Sequence, residues 1–352
     1  MGPSSRVEAL WEPRGARDRA LHALLRAASV PYAVATVARN VLYDAGVLPS
    51  RRVSARVVSV GNVTVGGTGK TPLTLWLASA LHARGRRVAI VTRGYGRRSR
   101  GVVTVGDGGR ALLSARDGGD EAVLLARRFG GPVVAGADRV AAARYACATF
   151  ASDLIVLDDG FQHRRLARDV DVVVLAADPR RQRLLPAGPR REDWRALARA
   201  AAAVLADDAV DEAGARHLLP RAAVVGRMHT RATALVEAAA SGWTETSLTW
   251  LQGRRVVAVA GIARPHRFAD TLRALGATVA AVHAFPDHHP YTPGDVARLV
   301  ASAGVDSLVT TEKDLVKLEP FPALAGLRAV RIEAVVEGGG ALLDLAGGLG
   351  WQ

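Results

Sequence analysis

Thr64-Val65-Gly66-Gly67-Thr68-Gly69-Lys70-Thr71 follows the β-branched run Val57-Val58-Ser59-Val60 and precedes an apolar-periodic helix starting near Pro72. Strand, glycine-rich loop, Lys-Thr and helix in that order make a phosphate cradle. Gly66, Gly67 and Gly69 have no Cβ and can take positive φ, which lets backbone N–H groups turn inward around an anion. The helix N-terminus adds partial positive charge. In such a loop Lys70 reaches the β- and γ-phosphates and the Thr71 hydroxyl holds Mg²⁺. One position departs from G-x-x-x-x-G-K-[ST]: its first glycine is Thr64 here. A ligand-free glycine turn would not require the flanking strand and helix, so a nucleotide-phosphate site is the reading.

The 352 residues suggest two domains of ordinary size, and a hydrophobic share of 49% suffices for real cores. One cysteine, Cys147, excludes an intramolecular disulfide and fits reducing, intracellular surroundings. Of 47 basic residues only Lys70, Lys313 and Lys317 are lysines, leaving 44 arginines. Where arginine replaces lysine so widely, the remaining lysines are candidates for specific chemistry. The net charge of +14 fits an anionic partner. No basic stripe interleaved with aromatics is present, so no nucleic acid is expected.

Met1–Arg19 is charged and lacks the apolar core of a signal peptide. The uncharged run Ala27–Ala38 falls short of the roughly 20 residues that span a bilayer. The wider segment Leu21–Leu42 puts Leu21, Leu24, Leu25, Ala28, Tyr32 and Ala35 on one helical side, with Arg19, His22, Arg26 and Arg39 at its edges. Two readings stand: an interfacial helix on an anionic membrane, or a helix packed on the core and interrupted at Pro31.

Beyond this arm, strand and helix alternate, the pattern of an α/β protein with a mostly parallel sheet and helices on both faces. Strands are expected at Arg56–Val60, Arg87–Thr92, Val102–Val105, Pro132–Ala135, Asp153–Leu157, Val170–Leu175 and Ala202–Leu205. Helices are expected at Thr71–Arg84, Gly119–Arg128, Arg139–Phe150 and Asp193–Ala201. A second series follows, with strands Val256–Ala260, Thr278–Ala284, Ser307–Thr311 and Leu327–Ile332 around helices Arg264–Leu275 and Pro293–Ala303. The division expected is an N-terminal amphipathic helical arm (1–45), a P-loop kinase domain (46–206), an irregular connection (207–253) and a smaller C-terminal α/β domain (254–340). The tail from Gly338 is expected to be loose.

Leu154-Ile155-Val156-Leu157-Asp158-Asp159-Gly160 is an apolar strand ending in two aspartates, where P-loop folds place the acidic support for Mg²⁺. Gln162 and His163 follow and would line the same cleft. Asp117-Gly118-Gly119-Asp120-Glu121 opens a helix, where an acidic side chain can also serve as a cap or dipole partner. Thr92-Arg93-Gly94-Tyr95-Gly96 follows the second strand, and a mobile loop there could bring Arg93 to an anion. Pro286-Asp287-His288-His289-Pro290 lies in the second series. A general-base or orienting role suits His288 better than metal ligation, because no cysteine is nearby. Thr310-Thr311-Glu312-Lys313-Asp314 closes another strand, its charges pairing locally or facing the cleft.

These motifs, in this order, resemble the tetraacyldisaccharide 4′-kinases of lipid A biosynthesis. The resemblance rests on Ser59–Pro72, Arg93–Gly96, Gly119–Glu121, Asp138-Arg139, Leu157–His163, Leu184–Pro189, Asp287-His288 and Thr310–Asp314. It implies a P-loop NTPase-like fold and transfer of the ATP γ-phosphate to the 4′-hydroxyl of a tetraacylated glucosamine disaccharide 1-phosphate. It also implies a peripheral place on the cytoplasmic face of the inner membrane of a Gram-negative bacterium, on an anionic membrane surface. By the same matching the loop residues Thr64 to Thr71 hold ATP, and the missing first glycine is the family's own pattern. Asp120 is the catalytic base, assisted by His288 from the second domain, so closure between domains is expected. Lys70 and Asp159 are catalytic, and Thr71, Asp158 and Glu121 serve Mg²⁺. Arg93, Tyr95, Arg139, Gln162, His163 and Arg191 contact the substrate or its phosphates.

Two stretches depart from the family pattern. Ala176–Gln182 lacks an expected glycine and asparagine, and Arg190 replaces an apolar residue after Gly188-Pro189. The rival reading is a membrane-associated P-loop ATPase switch of the partitioning type, but those carry a signature lysine where Val65 stands. A P-loop GTPase lacks its Asn-Lys-x-Asp motif, of which Thr311–Asp314 is the nearest approach.

Overall fold

The computed structural model describes residues 11, 15–206, 211–239, 242–303 and 307–348. Contacts divide the chain into two compact units, each assembled from separate stretches: Met1–Arg93, Gly136–His229 and Ala334–Gln352 form the first, Gly94–Ala135 and Thr230–Glu333 the second.

The first unit holds a parallel sheet in the order Ala202–Ala206, Val170–Leu175, Arg56–Gly61, Leu154–Asp158, with Val88–Thr92 beside the last. The start of Val224–Ala239 adds a parallel neighbour to Ala202–Ala206, pairing Ala202 with Val224. Leu154–Asp158 and Val170–Leu175 are buried at every residue, which explains the apolar runs Leu154–Leu157 and Val172–Leu175 within them. Helix Lys70–Ala83 buries Leu73, Thr74, Leu77, Ala78 and Leu81, the i, i+4, i+8 stripe of a helix lying on a sheet.

The tail is ordered rather than loose through Gly347. Helix Gly339–Gly347 buries Leu342, Leu343 and Ala346, and a Cβ on Gly339 would lie 2.6 Å from the Trp76 ring. Arg56 and Arg86 donate to its last carbonyls, at Ala346 (2.9 Å) and Gly347 (2.6 Å), which satisfies C-terminal oxygens the helix leaves unpaired. Segment 193–201 forms a 3₁₀ helix, Trp194–Arg199, in place of the expected α-helix.

Helix Ala16–Asp44 runs without interruption through Pro31, which sits exposed where its missing N–H leaves only a solvent-facing carbonyl. Its sidedness is the reverse of an ordinary amphipathic helix. The inward stripe is polar: Ser29 donates to Leu184 O (3.2 Å), Tyr32 to Arg191 O (2.6 Å) and Asn40 to Glu192 (2.8 Å). The apolar side chains Leu21, Leu24, Val30, Val34, Val37, Val41 and Leu42 face outward. Tyr32 and Leu25 thus leave the apolar face on which the sequence placed them.

In the second unit Arg255–Ala260 lies parallel between Thr278–Ala284 and Ser307–Thr311, and Arg328–Glu337 pairs with the latter. The expected irregular connection instead contains the long strand Val224–Ala239 and its antiparallel partner Gly242–Thr246. The sequence reading assigns 94–135 to a continuous P-loop domain, whereas its contacts lie with 230–333. Arg128 pairs with Glu312 and Arg127 with Glu319, both at 2.7 Å, fastening helix Asp120–Arg128 to helix Glu312–Leu318 and its end.

Candidate active site

The phosphate loop leaves the buried strand Arg56–Gly61 and is held by its own neighbours. Val65 N donates to Pro189 O and Arg191 N to Val63 O, each at 2.8 Å. The Asn62 amide donates to Thr68 Oγ1 (2.9 Å) and Thr64 Oγ1 (3.3 Å), so Thr64 serves the loop as an acceptor a glycine would not provide. Gly66 and Gly69 adopt positive φ, 106° and 86°, while Gly67 does not. A Cβ on Gly66 or Gly67 would meet nothing within 4 Å, leaving the room an oxyanion needs beside the N–H groups. Gly69 is the residue preceding helix Lys70–Ala83, which puts Lys70 and Thr71 in the first turn.

Lys70 Nζ lies 3.5 Å from Gly66 O and 3.7 Å from Asp159 Oδ1. Asp159, in left-handed backbone at φ 49°, also accepts from Arg191 Nη1 at 2.9 and 3.0 Å. Burial pushes its carboxyl up, but Lys70 and Arg191 outweigh that and hold it below the usual range. Asp158 is buried and accepts from Thr74 Oγ1 (3.2 Å) and Thr92 Oγ1 (3.0 Å), so it is locked at its strand end. Thr71 and Asp158 offer the oxygen donors that fit Mg²⁺, an ion that keeps most of its waters and takes one or two protein oxygens.

Around this core, Gln162 donates to Asn62 O and Glu192 Oε1, each at 2.8 Å, and accepts from Arg191 at 3.3 Å. Arg139 is buried behind the N-cap Asp138, and burial together with Arg93 lowers its pKa. His163 is pushed down to about 4, chiefly by burial and then by Arg139, which favours its neutral form. Arg93 follows strand Val88–Thr92 and is exposed.

The second cluster lies wholly within the second unit, and this corrects the expectation that His288 comes to Asp120 from another domain. Asp120 opens helix Asp120–Arg128 after Gly119 (φ 90°), whose Cβ position is 2.8 Å from the Tyr95 carbonyl. Only glycine fits there. His288, itself at φ 59°, places Nδ1 2.9 and 3.1 Å from the Asp120 oxygens. The Tyr95 ring is 5.1 Å from the imidazole. Burial pushes Asp120 up, but the His288 hydrogen bond, Lys313 and Lys317 leave it below the ordinary carboxylate value. Burial lowers the imidazole pKa and Asp120 raises it, with a net rise.

Lys313, which the sequence left without a role, completes this cluster. Its Nζ is 2.8 Å from Asp287, 3.1 Å from Glu121 and 3.2 Å from His288 Nε2. Glu121 therefore spends its charge on Lys313. Lys317 is bound to Asp314 at 2.9 Å and lies 3.9 Å from Asp120. The scarcity of lysine was the one sequence signal pointing at both. Glu192, fully buried among Asn40, Gln162 and Arg199, gave no local signal.

A family model described as tetraacyldisaccharide-1-P 4′-kinase matches residues 21–344. A protein named tetraacyldisaccharide 4′-kinase from Anaeromyxobacter dehalogenans strain 2CP-C is 46% identical over 97% of this chain and 94% of its own. One of the same name from Syntrophus aciditrophicus is 41% identical, covering 92% of each. The crystal structure of LpxK from Aquifex aeolicus in complex with ATP superposes with a TM-score of 0.80 at 30% identity, over 94% of this chain and 100% of that one. Loop, aspartate pair and Asp120–His288 contact thus stand in a chain that matches these kinases from end to end, and the chain belongs to the tetraacyldisaccharide-1-P 4′-kinase family.

Proposed function

We propose that the Asp120–His288 pair supplies the base and the Thr64–Thr71 loop the donor grip of a lipid A kinase. The chain transfers the γ-phosphate of ATP to the 4′-hydroxyl of a tetraacylated glucosamine disaccharide 1-phosphate. The observation that carries the assignment of the base is the Asp120–His288 contact at 2.9 Å on a carboxylate with only 6% of its surface exposed.

In this reading the 4′-oxygen attacks the γ-phosphorus, the bond to the β-bridging oxygen breaks, and ADP leaves. Asp120 takes the hydroxyl proton while His288 Nδ1–H fixes the carboxylate's orientation. Lys70 and the loop N–H groups meet the charge on the transferring group, which in this chemistry matters more than covalent participation. Arg191 holds Asp159 and sits ready for phosphate, and Arg139, Arg93, Tyr95, Gln162 and His163 are the acceptor's side of the site. Thr71 and Asp158 would hold Mg²⁺, which would supply positive charge to the phosphates. Incubation with γ-labelled ATP and the disaccharide 1-phosphate in detergent tests the function: label on lipid supports it. Label only in free phosphate would indicate the partitioning-type switch instead.

Asp120 must be ionised to act, and its pKa, held below the ordinary carboxylate value by His288 and Lys313, favours that form. Both His288→Gln and Lys313→Met remove an influence that lowers this pKa and leave burial to raise it. The acid limb of kcat/KM therefore moves to higher pH in each variant, read from a pH–rate profile. An unmoved limb would exclude Asp120 as the titrating base.

The reversed helix Ala16–Asp44 supports a peripheral membrane position, on the cytoplasmic face where ATP is available. Its polar stripe is consumed by the body, so the exposed leucines and valines are free for lipid. Leu24, 67% exposed, is expected to contribute directly. Leu24→Glu should weaken vesicle binding by roughly tenfold or more, the loss of one buried aliphatic side chain, with melting temperature unchanged.

A further inference from the structure

We propose that the arginine-lined groove beside the N-terminal helix binds the phosphate of an anionic bilayer phospholipid, an inference that rests on the membrane reading above. The groove has a volume of about 620 Å³ between helix Ala16–Asp44 and the segment 180–190. Arg26, Arg180, Arg181, Arg183 and Arg190 line it, and among the described residues no acidic side chain does. Asp178 engages Arg180 at 2.8 Å and lies 3.8 Å from Arg181. Arg26 and Arg183 form no ion pair among the described residues.

Arg190 is the most telling of the five. Its Nε and Nη1 are buried without a hydrogen-bond partner, and its counter-charge, Asp193, acts only through space. A guanidinium in that state is costly unless a ligand completes it, and a phosphate's paired oxygens match its fork. The opposite wall carries Val30 and Val34, 63% and 64% exposed, continuous with the outward strip of Leu21, Leu24, Val37 and Val41. Phosphate-binding charge beside an apolar strip is the chemistry of a phospholipid headgroup whose acyl chains stay in the membrane.

This groove is distinct from the phosphate loop. Thr64 bridges Arg190 in antiparallel register, and Arg191 N donates to Val63 O. In an extended segment consecutive side chains point to opposite sides. Arg191 reaches Asp159 at 2.9 Å, so Arg190 turns away from the reaction. Arg180, Arg181 and Arg190 also fall in the two stretches where the sequence departs from the family pattern, so the shared reaction does not account for them.

Flotation with phosphatidylcholine vesicles, with and without phosphatidylglycerol, tests the site. The unaltered chain should bind the phosphatidylglycerol vesicles more tightly. Arg26→Gln/Arg183→Gln, both at the open groove, should lose on the order of tenfold of that gain while binding plain phosphatidylcholine as before. Arg190→Gln should do the same if its loop folds, which an unchanged melting temperature establishes. Turnover of substrate in neutral detergent should be unchanged in the Arg26/Arg183 variant. A raised KM there would mean that the acceptor's own phosphate occupies the groove and would overturn the proposal. Equal binding to both vesicles would overturn it too and leave the membrane reading intact. Failure to float on any vesicle would instead sink the membrane reading on which it rests.

Discussion

Asp120→Asn should lower kcat by about 10²–10⁴-fold, the range for loss of a positioned general base, and leave ATP affinity near its original value. Asparagine matches aspartate in shape, and its amide oxygen can still accept from His288 Nδ1, which now sits 2.9 Å from the carboxylate. What it cannot do is take a proton. The substitution therefore separates basicity from packing at a site where packing is tight, since Asp120 is 6% exposed and follows a glycine that admits no Cβ. In the proposed mechanism ATP is gripped by Lys70 and the loop, so a binding titration serves as the control. Turnover within a few-fold of the unaltered chain would remove Asp120 from the mechanism. A matching loss of ATP binding would point to a folding defect in its place. A thermal melt distinguishes these, because the loss of charge leaves Lys317, 3.9 Å away, with Asp314 as its remaining partner.

Much of the first unit was legible because its signals are local. An unbroken β-branched run, glycines and Lys-Thr lie within sixteen residues and specify strand, loop and helix without distant contacts. The aspartate pair was legible for the same reason, at the end of a strand buried on every residue. What escaped was set by long-range pairing. Nothing near Arg127 or Arg128 announces that they will bind Glu319 and Glu312, yet those contacts place the Asp120 helix with 230–333. The ground for expecting closure, that His288 and Asp120 lie in different domains, is removed by that placement. The helix Ala16–Asp44 was left open between two readings, because periodicity marks an apolar stripe but not which stripe meets the body. Here Tyr32 and Asn40 find carbonyl and carboxylate partners more than 150 residues away, and the ordinary orientation is inverted. In the tail, three adjacent glycines suggested looseness, but one of them, Gly339, is what lets the helix approach Trp76.

Lys70→Met should cost about 10²–10³-fold in kcat, the scale on which removing one preorganised charge-stabilising donor acts, and should raise the KM for ATP as well. Both constants change because the ammonium meets phosphate charge in the ground state and meets more of it as the γ-group departs. Methionine keeps the length of the side chain, so the half-buried stem remains filled. The second consequence is electrostatic. Asp159 loses the foremost of the cations that hold its pKa down, leaving Arg191 and Arg139 against burial. Lys70→Arg is the sharper test. In a chain where 44 of 47 basic residues are arginine, charge alone cannot be the reason that position 70 is lysine. The ammonium is a compact point charge on a flexible stem, 3.5 Å from Gly66 O and 3.7 Å from Asp159, whereas a planar guanidinium spreads its charge over a rigid fork that a site fitted to a point charge does not match. Arginine should therefore rescue no more than a small part of the loss. Full activity in Lys70→Arg would mean that the loop needs only positive charge, and the specific contact of the ammonium with the transferring phosphate would have to be abandoned.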